Sequence, residues 1–112
     1  MDIDPLADAA VAEPLDNVNL AQLAAGERMS IQHFRIEPGG VVEEHAHPHE
    51  QAGFLFRGEV TFIADGEERD IGPNTAYVIP GDEPHAAENR GDEPAVGIEI
   101  FSPPRPNPPW LD

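Results

Sequence analysis

Past about residue 25 the chain breaks into short runs rich in Val, Ile, Phe and Thr, separated at close spacing by Gly, Pro, Asp and Asn. This cadence constrains the fold more than any other feature. β-Branched and aromatic residues suit a pleated, half-buried backbone, and Gly and Pro interrupt any longer helix. The runs are MSIQHFRI (29–36), VVEEHAH (41–47), AGFLFRG (52–58), EVTFIA (59–64), RDI (69–71), TAYVIP (75–80), HAAENR (85–90) and AVGIEIF (95–101), with 10 Gly and 13 Pro in the whole chain as punctuation. They predict an all-β domain of antiparallel strands, a sandwich or a barrel. In EVTFIADGEERDI, Val60, Phe62 and Ala64 alternate with Glu59, Thr61 and Asp65, and Asp65-Gly66 is the dipeptide of a two-residue hairpin turn.

At 112 residues the chain is expected to form one domain around one core. Residues 1–25 are acidic and Ala-rich and read as an N-terminal arm in which LAQLAAG is the one candidate helical turn, stopped at Gly26. Residues 26–102 carry the strands, and 103–112 form a Pro-rich tail. SPPRPNPPWLD (102–112) has five Pro in eleven residues, which excludes a central strand or a helix and leaves Trp110 to dock on an apolar surface.

Twenty-two Asp and Glu oppose six basic residues, all Arg, for a net charge of −16 at pH 7. Phosphate binding needs clustered cations, so nucleic-acid and anionic-membrane partners are excluded on charge. Self-repulsion of this size is screened in molar salt, where the Debye length is about 3 Å, and the composition reads as that of a halophilic protein. The chain has no Cys, hence no disulfide and no thiolate site. Acids stand where a signal peptide needs basic residues, and no run approaches the length of a membrane span, so a cytoplasmic location is expected.

Three of the five histidines fall in HAHPHEQ (45–51). Side chains two apart on a strand project from one face, so His45 and His47 can reach one ion. A turn at Pro48 takes His49 out of that register and lets Gln51 return its amide oxygen; His85, following PGDEP at the start of a later strand, is the candidate fourth ligand. Imidazole with oxygen donors suits a divalent metal such as Zn, Ni, Mn or Fe, and the residues do not choose among them. In AVGIEIF, Gly97, Glu99 and Phe101 share one face and Val96, Ile98 and Ile100 the other, so a lone acid sits in an apolar strand. A carboxylate directed inward there is costly unless it is paired or used. Arg105, beyond the Ser-Pro-Pro turn, has the planar fork that suits a substrate carboxylate.

From Gly39 to Gly58 the chain reads G-x5-H-x-H-x3-Q-x6-G, and from Pro80 to Asn89 it reads P-x4-H-x3-N. On these two motifs the chain resembles the cupin superfamily, small single-domain type. The resemblance implies a double-stranded β-helix (jelly-roll) barrel of antiparallel strands in two sheets, with His45, His47, Gln51 and His85 as metal ligands and His49 and Glu50 turned away. Gln51 stands where the general motif has Glu, and Asp82 where it has Gly. His33 falls in the first strand of the expected barrel and reads as a structural residue.

The ending E-x-F-S-P-P-R is similar to the D-x-F-S-P-P-R close of the KdgF-type cupins of pectin and alginate breakdown, which open 4,5-unsaturated uronates. That resemblance implies Glu99, Phe101 and Arg105 at an active site, with Glu99 as proton shuttle, and an anionic sugar acid as substrate. The alternatives are a metal-dependent dioxygenase of the cupin type and a non-catalytic cupin that senses or stores a small ligand. Apolar stripes at Val96/Ile98/Ile100 and Phe54/Phe56 exceed what a thin barrel buries, so a homodimer is expected, with residues 1–25 as a segment that could exchange.

Overall fold

The computed structural model describes residues 1–105, so the expected docking of Trp110 lies outside the described residues. After a 3-10 turn at Leu6–Asp8 come β1 (Val11–Leu15), β2 (Val18–Ala25), β3 (Ser30–Ile36), β4 (Val41–His45), β5 (Glu50–Arg57), β6 (Val60–Ala64), β7 (Glu67–Ile71), β8 (Thr75–Ile79), β9 (His85–Glu88) and β10 (Ala95–Ser102). The strands make a six-stranded sheet in the order β1-β2-β3-β10-β5-β8 and a four-stranded sheet in the order β4-β9-β6-β7. Every pairing is antiparallel. The all-β expectation therefore holds, and the chain repeatedly crosses from one sheet to the other, which closes the inner faces around one interior. Among the described residues no helix is long and apolar enough to cross a membrane.

The two-residue period of a strand decides what enters that interior. On β3, Ser30, Gln32, Phe34 and Ile36 are buried, while Ile31, His33 and Arg35 face the other way. Leu55 on β5 is fully enclosed, and it packs with Val18, Phe34, Ile36, Val60, Ala87 and Ala95 into the core. Cross-strand partners form inner rows running across the six-stranded sheet: Gln32, Glu99, Gly53 and Tyr77 in one, and Ser30, Phe101, Gln51 and Ile79 in the next. The core fills one end of the barrel, and these polar rows lie towards the other.

The Asp65-Gly66 turn joins β6 and β7 as expected, with Ala64 opposite Glu67. Both turn residues have positive φ, 52° and 75°, which is the conformation a two-residue turn requires for its twist to match that of the strands. LAQLAAG is corrected: it is not a helical turn but most of β2. Val18 pairs with Ile36 and Leu20 with Phe34, and the apolar side chains these pairings bury outweigh the helical preference of Leu, Ala and Gln. Residues 11–25 thus add two strands to the sheet edge beside β3 and are not a detached arm. On the outer face of the same sheet Val96, Ile98 and Ile100 are half-buried, and Phe56 and Val78 are exposed.

Because Leu55 is the most enclosed large side chain, Leu55→Ala is expected to lower the unfolding free energy by about 2–5 kcal/mol in urea titration. Val78→Ala on the exposed outer face is expected to change it by no more than about 0.5 kcal/mol. Equal losses would mean that the interior assigned here is not the one that holds the fold.

Candidate metal centre and its cavity

Two loops bring the histidine-bearing segments together. β4 pairs with β9 so that His45 lies opposite His85. The N–H of Asp82 donates to the carbonyl of His47 at 2.7 Å, and a Cβ on Gly81 would run into the carbonyl oxygen of Pro48. Asp82 has φ of 64°, so the turn needs a left-handed residue, and Asp tolerates that conformation in place of the Gly of the general motif. Asn89, the last residue of the second motif, is buried, and its amide donates to the carbonyls of Ile36 (2.8 Å) and Glu93 (2.9 Å). Its contribution is to tie loops together behind the site.

The imidazole nitrogens of His45, His47 and His85 all lie within 4.8 Å of one another, so the three could hold a metal ion. Each ring is oriented by its other nitrogen. Nδ1 of His45 lies 3.0 Å from the carbonyl of Glu43, Nδ1 of His47 3.1 Å from that of His49, and Nδ1 of His85 2.8 Å from that of Glu83. A carbonyl only accepts, so each Nδ1 carries the hydrogen and each Nε2 presents a lone pair. Among the described residues Nε2 of His85 is buried with no partner, and Nε2 of His47 faces the amide oxygen of Gln51 at 3.0 Å. Two acceptors facing each other and a third left buried are unfavourable by themselves and fit a cation between them. Burial pushes the His85 imidazole below its usual range, with His45 and His47 pushing the same way, which keeps it neutral as a ligand must be.

Behind the histidines lies a hydrogen-bonded carboxylate. Glu99 accepts from the amide of Gln51 and, at 3.0 Å, from the hydroxyl of Tyr77, both at Oε2; its Oε1 accepts from the amide of Gln32 at 3.3 Å. Burial pushes the Glu99 carboxyl above its usual range, while these three donors and the Arg105 charge pull against it. Burial, with the Glu99 charge beside it, pushes the Tyr77 phenol far upward, so it stays neutral and donates. Tyr77 fits because of Gly53, its neighbour on β5: a Cβ there would overlap the end of the phenol ring.

His85, Gln51, Glu99, Gln32 and Tyr77 line a cavity of about 390 Å³, with exposed His45, Glu43 and Glu44 also on its wall. Phe34, Phe62, Val42 and Leu20 supply an apolar wall. Arg105 also lines the cavity; its guanidinium carbon sits 5.5 Å from the centre of the Phe101 ring, and its backbone N–H donates to the hydroxyl of Ser30 at 2.7 Å. Among the described residues Arg105 is in no ion pair. Burial lowers its proton affinity and Glu99 raises it.

Of the residues singled out in the sequence, His45, His47, Gln51 and His85 converge, and Glu99, Phe101 and Arg105 line or adjoin the same space. His49 does not join the three. Its ring lies 6.1 Å from that of Phe101 and its carbonyl orients His47. Glu50 is exposed, and His33 faces the outer side of the sheet. Gln32, Gly53 and Tyr77 escaped notice in the sequence. A Gly inside a strand marks a close approach, and Tyr77 alternates with Thr75 and Ile79 on the inward parity, so two of the three had a readable signal.

A closed double-sheet barrel with clustered histidines inside defines a β-barrel protein with a site able to hold a metal. Residues 32–101 match the cupin domain, and the chain belongs to the cupin family. Over 77 residues it is 32% identical to the tetracenomycin polyketide synthase protein TcmJ of Streptomyces glaucescens, a match covering 68% of this chain and 52% of that one. Over 69 residues it is 35% identical to the H2HPP isomerase of Bacillus subtilis, covering 62% of this chain and 29% of that one. The chain thus spans about half, and under a third, of these two relatives. Among solved structures, KdgF from a Halomonas species superposes with a TM-score of 0.85 at 22% identity, over 94% of this chain and 96% of that one. The polyketide cyclase RemF from Streptomyces resistomycificus gives 0.81 at 18% identity, over 91% and 79%. At these identities the two structures show the shared fold.

Titrating metal-free protein with Zn or Ni is expected to raise its melting temperature, adding about 2.7 kcal/mol of stability at roughly a hundredfold excess over Kd. His85→Ala is expected to remove the effect. Binding should weaken on acidification, because protons compete with the metal for the imidazole nitrogens, and burial of His85 moves its own protonation below the usual imidazole range. A metal-induced shift that survives His85→Ala would place the ion elsewhere.

Proposed function

We propose that this chain is a metal-dependent cupin enzyme that moves a proton on a small enolisable substrate, and specifically that it opens the ring of a 4,5-unsaturated uronate. The observation that carries the reading is Glu99: a half-buried carboxylate behind the histidines, held by three hydrogen bonds and with raised proton affinity, in a cavity large enough for a small molecule. The E-x-F-S-P-P-R ending and the shared fold with KdgF support the uronate as substrate.

His45, His47, His85 and the Gln51 oxygen would hold a divalent ion (Zn, Ni, Mn or Fe). That ion supplies Lewis acidity toward a substrate carboxylate or hydroxyl. Glu99 takes the proton of the hemiacetal hydroxyl as the ring C–O bond breaks to release an enolate, and it returns that proton to carbon as the enolate becomes a ketone, so no atom is gained or lost. Arg105, stacked on Phe101, meets the substrate carboxylate, and Phe101 closes the cavity with an apolar surface.

The apolar wall favours a second reading. Phe34, Phe62, Val42 and Leu20 suit a substrate with an apolar body better than a ring bearing several hydroxyls, and Glu43 and Glu44 at the entrance oppose anions. The same proton transfer would then act on an enolisable ketone, the kind of chemistry suggested by the polyketide-synthase, cyclase and isomerase names of the relatives. A net charge of −16 supports a halophilic setting, and the outer apolar stripe supports a homodimer.

Glu99→Gln keeps the size of the side chain and one oxygen that can accept from Gln51 and Tyr77, but it cannot take up a proton. It is expected to lower turnover of unsaturated uronate, followed by loss of absorbance, about 100- to 10,000-fold with metal content unchanged. Full turnover in the variant would remove Glu99 from the chemistry, and turnover of an enolisable aromatic ketone but no uronate would favour the second reading. Oxygen uptake coupled to substrate would show a dioxygenase instead. Sedimentation and melting in low and in molar salt should show a dimer and a melting temperature that rises with salt; a monomer with no salt dependence would refute both expectations.

A further inference from the structure

The two ends of an amide are nearly the same size, and which end of Gln51 faces the histidines is not settled by β5. It is settled by what lies on the far side. There Glu99 offers only acceptors, so the Gln51 nitrogen turns to the carboxylate and its oxygen turns to His47. The carboxylate is itself on a flexible side chain and needs holding. Tyr77 donates to Oε2, the oxygen that Gln51 also uses, and Gln32 donates to Oε1. Tyr77 reaches that oxygen by lying across Gly53, which separates it from Glu99 in the row, with the Phe62 ring packed on it at 4.7 Å between centroids. A glycine in a central strand forgoes packing and backbone order, and here the room it leaves is filled by the phenol. The same geometry accounts for Gln at 51: a carboxylate there would face that of Glu99 with no hydrogen between them.

We propose that Tyr77, laid across Gly53, is a positioning residue of the histidine site: it holds Glu99, and Glu99 holds the Gln51 amide with its oxygen toward the histidines, so that a divalent metal ion meets an oxygen donor and not an NH2 group. The proposal rests on reading the histidines as a metal centre, but not on which reaction the centre serves. Gly53 belongs to the device as much as the hydroxyl does, since any larger side chain displaces the ring.

The test is Co(II) binding, measured as Kd by competition with a chromophoric chelator and as the visible spectrum of the bound ion. Tyr77→Phe, which removes the hydroxyl, and Gly53→Ala, which moves the ring, are each expected to weaken Co(II) binding about tenfold, and Glu99→Leu by up to about 100-fold, with an altered Co(II) spectrum in all three. Melting of the metal-free forms in chelator reports any general loss of fold, which by itself would leave the Co(II) spectrum unchanged. If the unmodified protein binds Co(II) and both Tyr77→Phe and Gly53→Ala keep its Kd and spectrum, the positioning role is wrong. If the unmodified protein binds no Co(II), the metal-centre reading falls and takes the proposal with it.

Discussion

The register of β10 against β3 and β5 is the constraint on which the rest of this structure depends. It places Glu99 opposite Gln32 on one side and Gly53 on the other, with Tyr77 one strand further on. A slip of one residue would turn Glu99 outward and bring Ile98 or Ile100 inward, and every donor now aimed at the carboxylate would lose its acceptor. A half-buried carboxylate without partners is unfavourable, so its three hydrogen bonds help make this register tolerable as well as useful.

The same row divides the barrel by chemistry. On one side Phe34, Leu55, Val60 and Ala87 pack into a core that fixes the sheet-to-sheet distance. On the other the histidines stand on the ends of β4 and β9 and the loop after β4, each ring held by a hydrogen bond to a backbone carbonyl. The core supplies rigidity and the loops supply direction. The hydrogen bond from the N–H of Asp82 to the carbonyl of His47 ties the two loops together.

Eight of the strands, the β6–β7 hairpin and the convergence of His45, His47 and His85 were legible in the sequence. Strand runs bounded by turn residues, and ligands at motif spacing, are local signals that the chain carries in order. β2 was not legible, because Leu, Ala and Gln favour a helix locally and only the pairing of Val18 with Ile36 and Leu20 with Phe34 makes the segment a strand. Tyr77 and Gln32 were missed for a related reason. Their meaning lies in sharing a row with Glu99, and sequence separations of 22 and 67 residues hide that row.

By itself, then, the sequence determined an acidic, cysteine-free, all-β chain with two histidine motifs and an acid of inward parity near its end, since composition, strand period and ligand spacing are properties of neighbours along the chain. The tertiary structure alone decided which end of the Gln51 amide faces the histidines, that the Gly53 gap is filled by the Tyr77 phenol, and that Arg105 stacks on Phe101 at the cavity. Those outcomes depend on which strands pair and in what register, and pairing is settled by the burial of the whole interior at once rather than by any stretch of residues read alone.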